Sequence, residues 1–238
     1  MTWTRIGLAT LLGLVLIPLA TAADPPAKRT PREALKPFND LIGTWRGTGT
    51  PEGTREEKQK NFWSETLTWA WQFKGDDAWL TATIDKGKYF TKGELRFLAD
   101  KDTYQLTLTT ADKDSLTFTG QLDDGRLTLT REDDKAKETQ QVVVTLLHAN
   151  RFLYRYEVKA KGKTLFAKLY QVGCTKEGEE FAAGDGKPEC IVSGGLGKQT
   201  VKYKGETYYV CCGGCADAFK EDPEKYIKEF QAKKKNKK

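Results

Sequence analysis

The stretch Thr66-Leu67-Thr68-Trp69-Ala70-Trp71-Gln72-Phe73-Lys74-Gly75-Asp76-Asp77-Ala78-Trp79-Leu80-Thr81-Ala82-Thr83-Ile84 alternates apolar and polar side chains on both sides of a turn. Successive side chains of a strand point to opposite faces. Leu67, Trp69, Trp71 and Phe73 therefore share one face, and Thr66, Thr68, Ala70 and Gln72 the other. Gly75-Asp76-Asp77 turns the chain, and residues 79–84 form the return strand.

The same theme runs outward over residues 42–171, broken by turn residues about every eight to twelve positions. Further strands are expected at 93–99, 104–109, 116–121, 126–131, 140–147, 152–159 and 164–171, with tight hairpins at Asp123-Asp124-Gly125 and Lys161-Gly162. With the segment at 44–50 the count comes to about ten strands, and no helix of useful length lies among them. A mainly β protein is expected. A ten-stranded meander with one apolar face closes most simply as an up-and-down antiparallel barrel, which leaves no open edge; a sandwich is the alternative.

The 238 residues are 38% hydrophobic and 30% charged, which suits one domain of fair size with a small one attached. Arg5, the apolar run 6–19 and the small residues of Ala20-Thr21-Ala22 read as a secretory signal over residues 1–22. The run is short for a membrane span, and Asp24-Pro25-Pro26 breaks it; an uncleaved anchor is the alternative. The mature chain is expected to be exported, periplasmic or secreted, and soluble, without stable membrane insertion. Residues 23–35 read as a flexible leader, 36–173 as the barrel, 174–232 as a cysteine module and 233–238 as a basic tail. Part of the net charge of +6 sits in that tail, at Lys233, Lys234, Lys235, Lys237 and Lys238. It reads as solvated, and no stripe of interleaved aromatics and arginines points to nucleic acid.

All five cysteines fall late in the chain: Cys174, Cys190, Cys211, Cys212 and Cys215. A disulfide scaffold would use an even number, spread along the chain. Residues 200–203 and 207–210, joined by Lys204-Gly205-Glu206, form a hairpin whose second strand delivers Cys211. Gly213-Gly214 then permits a sharp change of direction, and Cys215 opens a helix. A second helix begins at Asp222-Pro223, with aspartate as cap and proline in the first turn, and it aligns Tyr226, Ile227 and Phe230. A thiolate at a strand end and another in a first helical turn converge from one side, and a knuckle at Cys190 approaches from the other. The helix N-terminus is expected to lower the thiol pKa, and Phe219 to pack beneath Cys215. So small a unit has little apolar surface, and metal ligation of roughly 10 kcal/mol would offset that deficit. Pairwise disulfides are the competing use of these sulfurs.

Two family resemblances follow from these residues. Gly43-Thr44-Trp45-Arg46-Gly47-Thr48-Gly49 at the head of the meander resembles the opening strand of nitrobindin-type and related lipocalin-like barrels, over about residues 36–172. Glycines there let the strand bend across the barrel floor while the tryptophan plugs it. Nitrobindin-like proteins hold haem iron through a late-strand histidine. The matching stretch 164–170 has none, and His148, the chain's one histidine, sits at a hairpin end, so haem is not expected. The second stretch, over residues 188 to about 228, comprises Pro188-Glu189-Cys190-Ile191-Val192-Ser193-Gly194-Gly195, Tyr203-Lys204-Gly205-Glu206-Thr207-Tyr208-Tyr209-Val210-Cys211-Cys212, Gly214-Cys215, Phe219 and Asp222-Pro223-Glu224-Lys225-Tyr226. It resembles the TRASH/YHS cysteine modules, which bind, sense and traffic heavy metals. The resemblance implies a small ββα, treble-clef-like unit in which Cys190, Cys211 and Cys215 bind the metal.

Cys212 and Cys174 depart from that pattern. Cys212 is a core thiol or a substitute for Cys211. Cys174 is a folded-back fourth ligand, a partner of Cys212, or free. Soft thiolates suit zinc or Cu(I), and metal binding, trafficking or sensing is the expected function. In the alternative, the metal is a structural staple on an interaction adaptor, and the barrel takes a small apolar ligand through Trp69, Trp71, Tyr154 and Tyr156. One peripheral histidine supplies no Ser/His/Asp set and a closed thiolate shell leaves no activated water, so catalysis is not expected.

Overall fold

In the computed structural model, which describes residues 28–177 and 188–235, ten strands close into one antiparallel barrel. They are β1 (Gly43–Pro51), β2 (Trp63–Lys74), β3 (Asp77–Asp85), β4 (Phe90–Leu98), β5 (Thr103–Thr110), β6 (Ser115–Asp123), β7 (Arg126–Asp133), β8 (Glu138–His148), β9 (Arg151–Ala160) and β10 (Ala167–Lys176). Each pairs with its neighbour in sequence, and β1 pairs with β10 to close the ring, Gly47 standing opposite Cys174. The alternation in β2 is realised: Leu67, Trp69 and Trp71 are buried, while Thr68 is exposed. On β3, Ala78, Leu80, Ala82 and Ile84 point into the same core.

The floor is plugged as the first-strand tryptophan suggested. Trp45 is buried, its Nε1 donates to the Leu41 carbonyl at 2.6 Å, and its ring meets Phe152 edge-on at 4.7 Å. The first-strand glycines also make room for neighbouring side chains. A Cβ on Gly49 would stand 2.1 Å from the Trp63 ring, so that ring lies where only glycine leaves space.

Three elements depart from the sequence reading. Residues 31–35, expected within a flexible leader, form helix α1 (Pro31–Leu35), followed by a 3-10 segment (Lys36–Leu41). Thr30 and Glu33 make a reciprocal capping box, and Leu35, Phe38 and Leu41 are buried against the barrel floor. A second capping box, Thr54 with Glu57, starts α2 (Arg55–Asn61), a surface helix between β1 and β2 with no buried residue. Finally, β10 continues through Lys176, which puts Cys174 in the barrel wall rather than at the head of a linker. The signal region 1–22, the leader up to residue 27, residues 178–187 and the tail residues 236–238 lie outside the described residues.

The small C-terminal unit consists of the hairpin β11 (Gln199–Tyr203) and β12 (Glu206–Val210), then α3 (Gly213–Glu221) and α4 (Pro223–Lys235). Asp222 caps α4 as expected, its Oδ1 accepting from the Lys225 N–H at 3.1 Å. Phe219 is buried, and Tyr226, also buried, is flanked by the half-buried Ile227 and Phe230.

This unit is seated on the barrel. Past Gly43, β2 has no β1 partner, and the first turn of α3 covers the exposed backbone there. A Cβ on Gly214 would stand 1.7 Å from the Trp71 carbonyl oxygen, so the contact requires glycine. Arg32 of α1 reaches Glu229 of α4 at 2.5 Å, and Lys225 reaches Asp76 at 2.9 Å.

Candidate metal centre

Three local structures carry the thiols. Cys190 begins a tight knuckle in which its N–H donates to the Gly195 carbonyl at 2.7 Å and its own carbonyl accepts from Gly194 at 2.9 Å. The Ile191 N–H then donates to the Tyr209 carbonyl at 2.8 Å, tying the knuckle to β12. Cys211 follows the end of β12, and Cys215 lies in the first turn of α3, whose cap position is Cys212 in a fully extended conformation.

The three sulfurs of Cys190, Cys211 and Cys215 all lie within 4.8 Å of one another, and all three residues are buried. Cys211 Sγ and Cys215 Sγ are 3.4 Å apart. Metal–sulfur bonds of about 2.3 Å place neighbouring thiolates roughly 3.8 Å apart around a tetrahedral ion, so the set has the spacing of a ligand shell. Free thiols, not disulfides, are found at all five cysteines.

Cys212 Sγ stands 3.9 Å from Cys211 Sγ but outside the group of three. Cys174 is remote from them: it is fully buried on β10, opposite Phe152 of β9, and burial with the nearby Glu65 carboxylate pushes its thiol well up. It is not brought to the cluster because the linker begins only after its strand has closed the barrel.

The proton distribution differs from the helix-dipole expectation. Cys215 is pushed up, first by burial and then by donating to neighbouring sulfurs. The lowered thiols are the acceptors. Cys190 is pulled down by hydrogen bonds from Cys211 and Cys215, assisted by Ser193, and Cys212 by Cys211 and Cys215, assisted by the backbone N–H groups of Cys215 and Trp71. Cys211 is raised, chiefly through its hydrogen bond to Cys190. Burial in a cluster of sulfurs outweighs the first turn of a nine-residue helix.

Two residues around the thiols had no signal in spacing or periodicity. Ser193 places its Oγ 3.3 Å from Cys211 Sγ and its N–H 3.5 Å from Cys190 Sγ. Asn39, in the 3-10 segment under the barrel, donates from Nδ2 to the Ser193 carbonyl at 3.2 Å. A polar residue between the buried Phe38 and Leu41 was the one available hint.

Of the four aromatics proposed to face a barrel ligand, Trp69 and Tyr154 line an apolar cavity of about 50 Å³ with Phe38, Leu106, Val142 and Phe152. The Trp69 Nε1 is buried without a partner among the described residues. Trp71 lies at the floor, stacked on Phe73 at 5.4 Å, and Tyr156 near the opposite end, donating to Gln140 Oε1 at 2.6 Å. Neither lines the cavity. The Tyr154 hydroxyl is held by the buried Glu65 at 2.5 Å. His148 is exposed at the β8–β9 turn.

Comparison with known proteins places a YHS domain at residues 197–229, which takes in Cys211 and Cys215 and begins after Cys190. No curated protein matches the chain. Among solved structures, EF1p2_mFAP2b bound to DFHBI is similar over 60% of this chain and 99% of its own, at 13% identity and a TM-score of 0.25. That likeness is too slight to bear on fold or ligand.

Proposed function

We propose that this chain is an exported metal-binding protein that holds zinc or Cu(I) through Cys190, Cys211 and Cys215, for metal binding, trafficking or sensing. One observation carries the reading: three buried sulfurs from separate elements lie within 4.8 Å of one another. Thiolate donors suit soft and borderline metals. The YHS match over residues 197–229 supports the same chemistry. The residues fit a metal, which would supply the crosslink between knuckle, strand end and helix. Ser193 would orient two of the thiols by hydrogen bonding. Export rests on the signal-like residues 1–22. The reading is of a binder rather than an enzyme, because among the described residues the clustered donors are three thiols, with no histidine or carboxylate in the set.

A second reading has its own support. The metal is then a structural staple, and the barrel takes a small apolar ligand beside the unpartnered Trp69 Nε1. Elemental analysis of the purified mature protein, repeated after challenge with a mild chelator, separates the two. Rapid exchange at retained fold is the behaviour of a carrier, whereas slow loss accompanied by unfolding of α3 and α4 is that of a staple. Protein isolated without metal and unable to take up either ion would sink both.

A further inference from the structure

We infer that the barrel is a working part of the metal centre, with Asn39 as the positioning residue that holds the Cys190 knuckle in register with Cys211 and Cys215. The inference rests on the metal-binding reading above and adds to it a residue some 150 positions away in sequence (193 − 39 = 154).

Asn39 uses both ends of its amide. Its Nδ2 donates to the Ser193 carbonyl at 3.2 Å, and its Oδ1 accepts from Trp71 Nε1 at 3.1 Å. The second bond fixes the amide plane, so the first is aimed by the barrel itself. The amide also lies flush against the knuckle, because a Cβ on Gly195 would come within 3.1 Å of Asn39 Cγ. Ser193, held by its carbonyl, carries contacts to two sulfurs, its N–H toward Cys190 and its Oγ toward Cys211. From the other side, Trp71 supplies the carbonyl against which Gly214 is seated, one residue before Cys215. All three thiol-bearing segments are thus referenced to one hydrogen-bonded pair, Asn39 of the 3-10 segment and Trp71 of β2.

Groups that orient metal ligands typically change metal affinity by about 10- to 100-fold when removed. Asn39 acts through Ser193 and touches no sulfur, so its loss should change metal retention rather than the number of thiolates bound. Asn39→Asp keeps an oxygen for Trp71 Nε1 and removes the Nδ2 donor. Trp71→Phe leaves Asn39 in place and removes the indole N–H that anchors it, together with part of the packing against Phe73.

The test uses the full mature chain loaded with Co(II) or zinc. Sulfur coordination is read from the cobalt–thiolate charge-transfer bands, and release from the rate of zinc transfer to a chromophoric chelator. Barrel integrity is followed by tryptophan fluorescence during melting. The expected result is at least about tenfold faster release in Asn39→Asp, and faster release also in Trp71→Phe, with the barrel transition and the thiolate bands retained. Release at the wild-type rate in a folded Asn39→Asp overturns the inference. If that variant does not fold, wild-type release in Trp71→Phe does so instead. A wild-type chain that takes up no metal refutes the metal-binding reading, whereas a wild type that binds normally beside insensitive variants refutes only the role of Asn39.

Discussion

Cys190, Cys211 and Cys215 reach one another from three different local structures, and they do not share one proton state. Cys190 is lowered by hydrogen bonds from its neighbours, whereas Cys211 and Cys215 are raised. A raised thiol is protonated at neutral pH, so an incoming ion must displace its proton, and a higher pH favours binding. Two such thiols predict an apparent affinity that climbs by roughly a hundredfold per pH unit around neutrality. Competition titrations at several pH values check this, and a flat profile would show that the thiols are already ionised. At the same scale, Cys190→Ser should abolish stoichiometric metal uptake, while Cys174→Ser, deep in the barrel wall, should leave it unchanged. Elemental analysis of the two variants decides between them. Spacing, turn chemistry and the resemblance to the cysteine modules pointed to the three thiols that the fold brings together, because a hairpin, a Gly-Gly turn and a helix start are local features. Cys174 was misplaced because strand ends are weakly marked: Val172-Gly173-Cys174-Thr175 still alternates in burial, but a glycine and a polar pair suggest a stop. Ser193 was legible only as part of the stretch that resembles the cysteine modules, and its partnership with Asn39 was not, since it depends on two distant segments meeting.

At the scale of elements, the two glycines that open α3 separate local preference from docking. Gly213 has nothing within 4 Å of a Cβ position, while Gly214 is pressed against the Trp71 carbonyl of β2. Gly213→Ala should therefore be neutral or stabilising, by up to about 1 kcal/mol of helix propensity. Gly214→Ala should cost about 1–3 kcal/mol, because helix or strand must shift to admit the methyl group. Chemical denaturation followed by the helical circular dichroism of α3 and α4 measures both. Equal effects at the two positions would mean that α3 is not seated on the barrel. Most of the ten strands were legible because alternation with a period of two runs through them, broken in β8 where Val142, Val143 and Val144 are all buried, and closure followed from the need to leave no edge. The helix at 31–35 was overlooked for a physical reason. Its capping box, Thr30-Pro31-Arg32-Glu33, is a clear local signal, but five residues are too few to show an apolar period. Burial of Leu35, Phe38 and Leu41 comes from the barrel floor above them, which is tertiary context.

The whole molecule joins two units whose stability has different sources. The barrel buries a continuous core and has no free edge, so it needs no ion. The described C-terminal unit, residues 188–235, has one two-stranded hairpin and two helices around a small core, a size at which metal ligation commonly decides folding. Reporters for the two units are separable. The chain's six tryptophans all precede residue 80, whereas α3 and α4 are the longest helices described. Tryptophan fluorescence therefore follows the barrel, and ellipticity at helical wavelengths chiefly follows the C-terminal unit. With metal bound, Asn39, Trp71 and the Arg32–Glu229 pair couple the units, and the two signals should melt close together. After chelation the helical signal should be lost at a markedly lower temperature, with the fluorescence transition nearly in place. Restoring zinc or Cu(I) should bring the transitions back together, to an extent that grows with free metal as mass action requires. If instead both signals fall together at a midpoint indifferent to chelator and metal, the thiol cluster contributes nothing to folding as an ion site. The contact between α3 and β2 would then be sufficient by itself to hold the C-terminal unit.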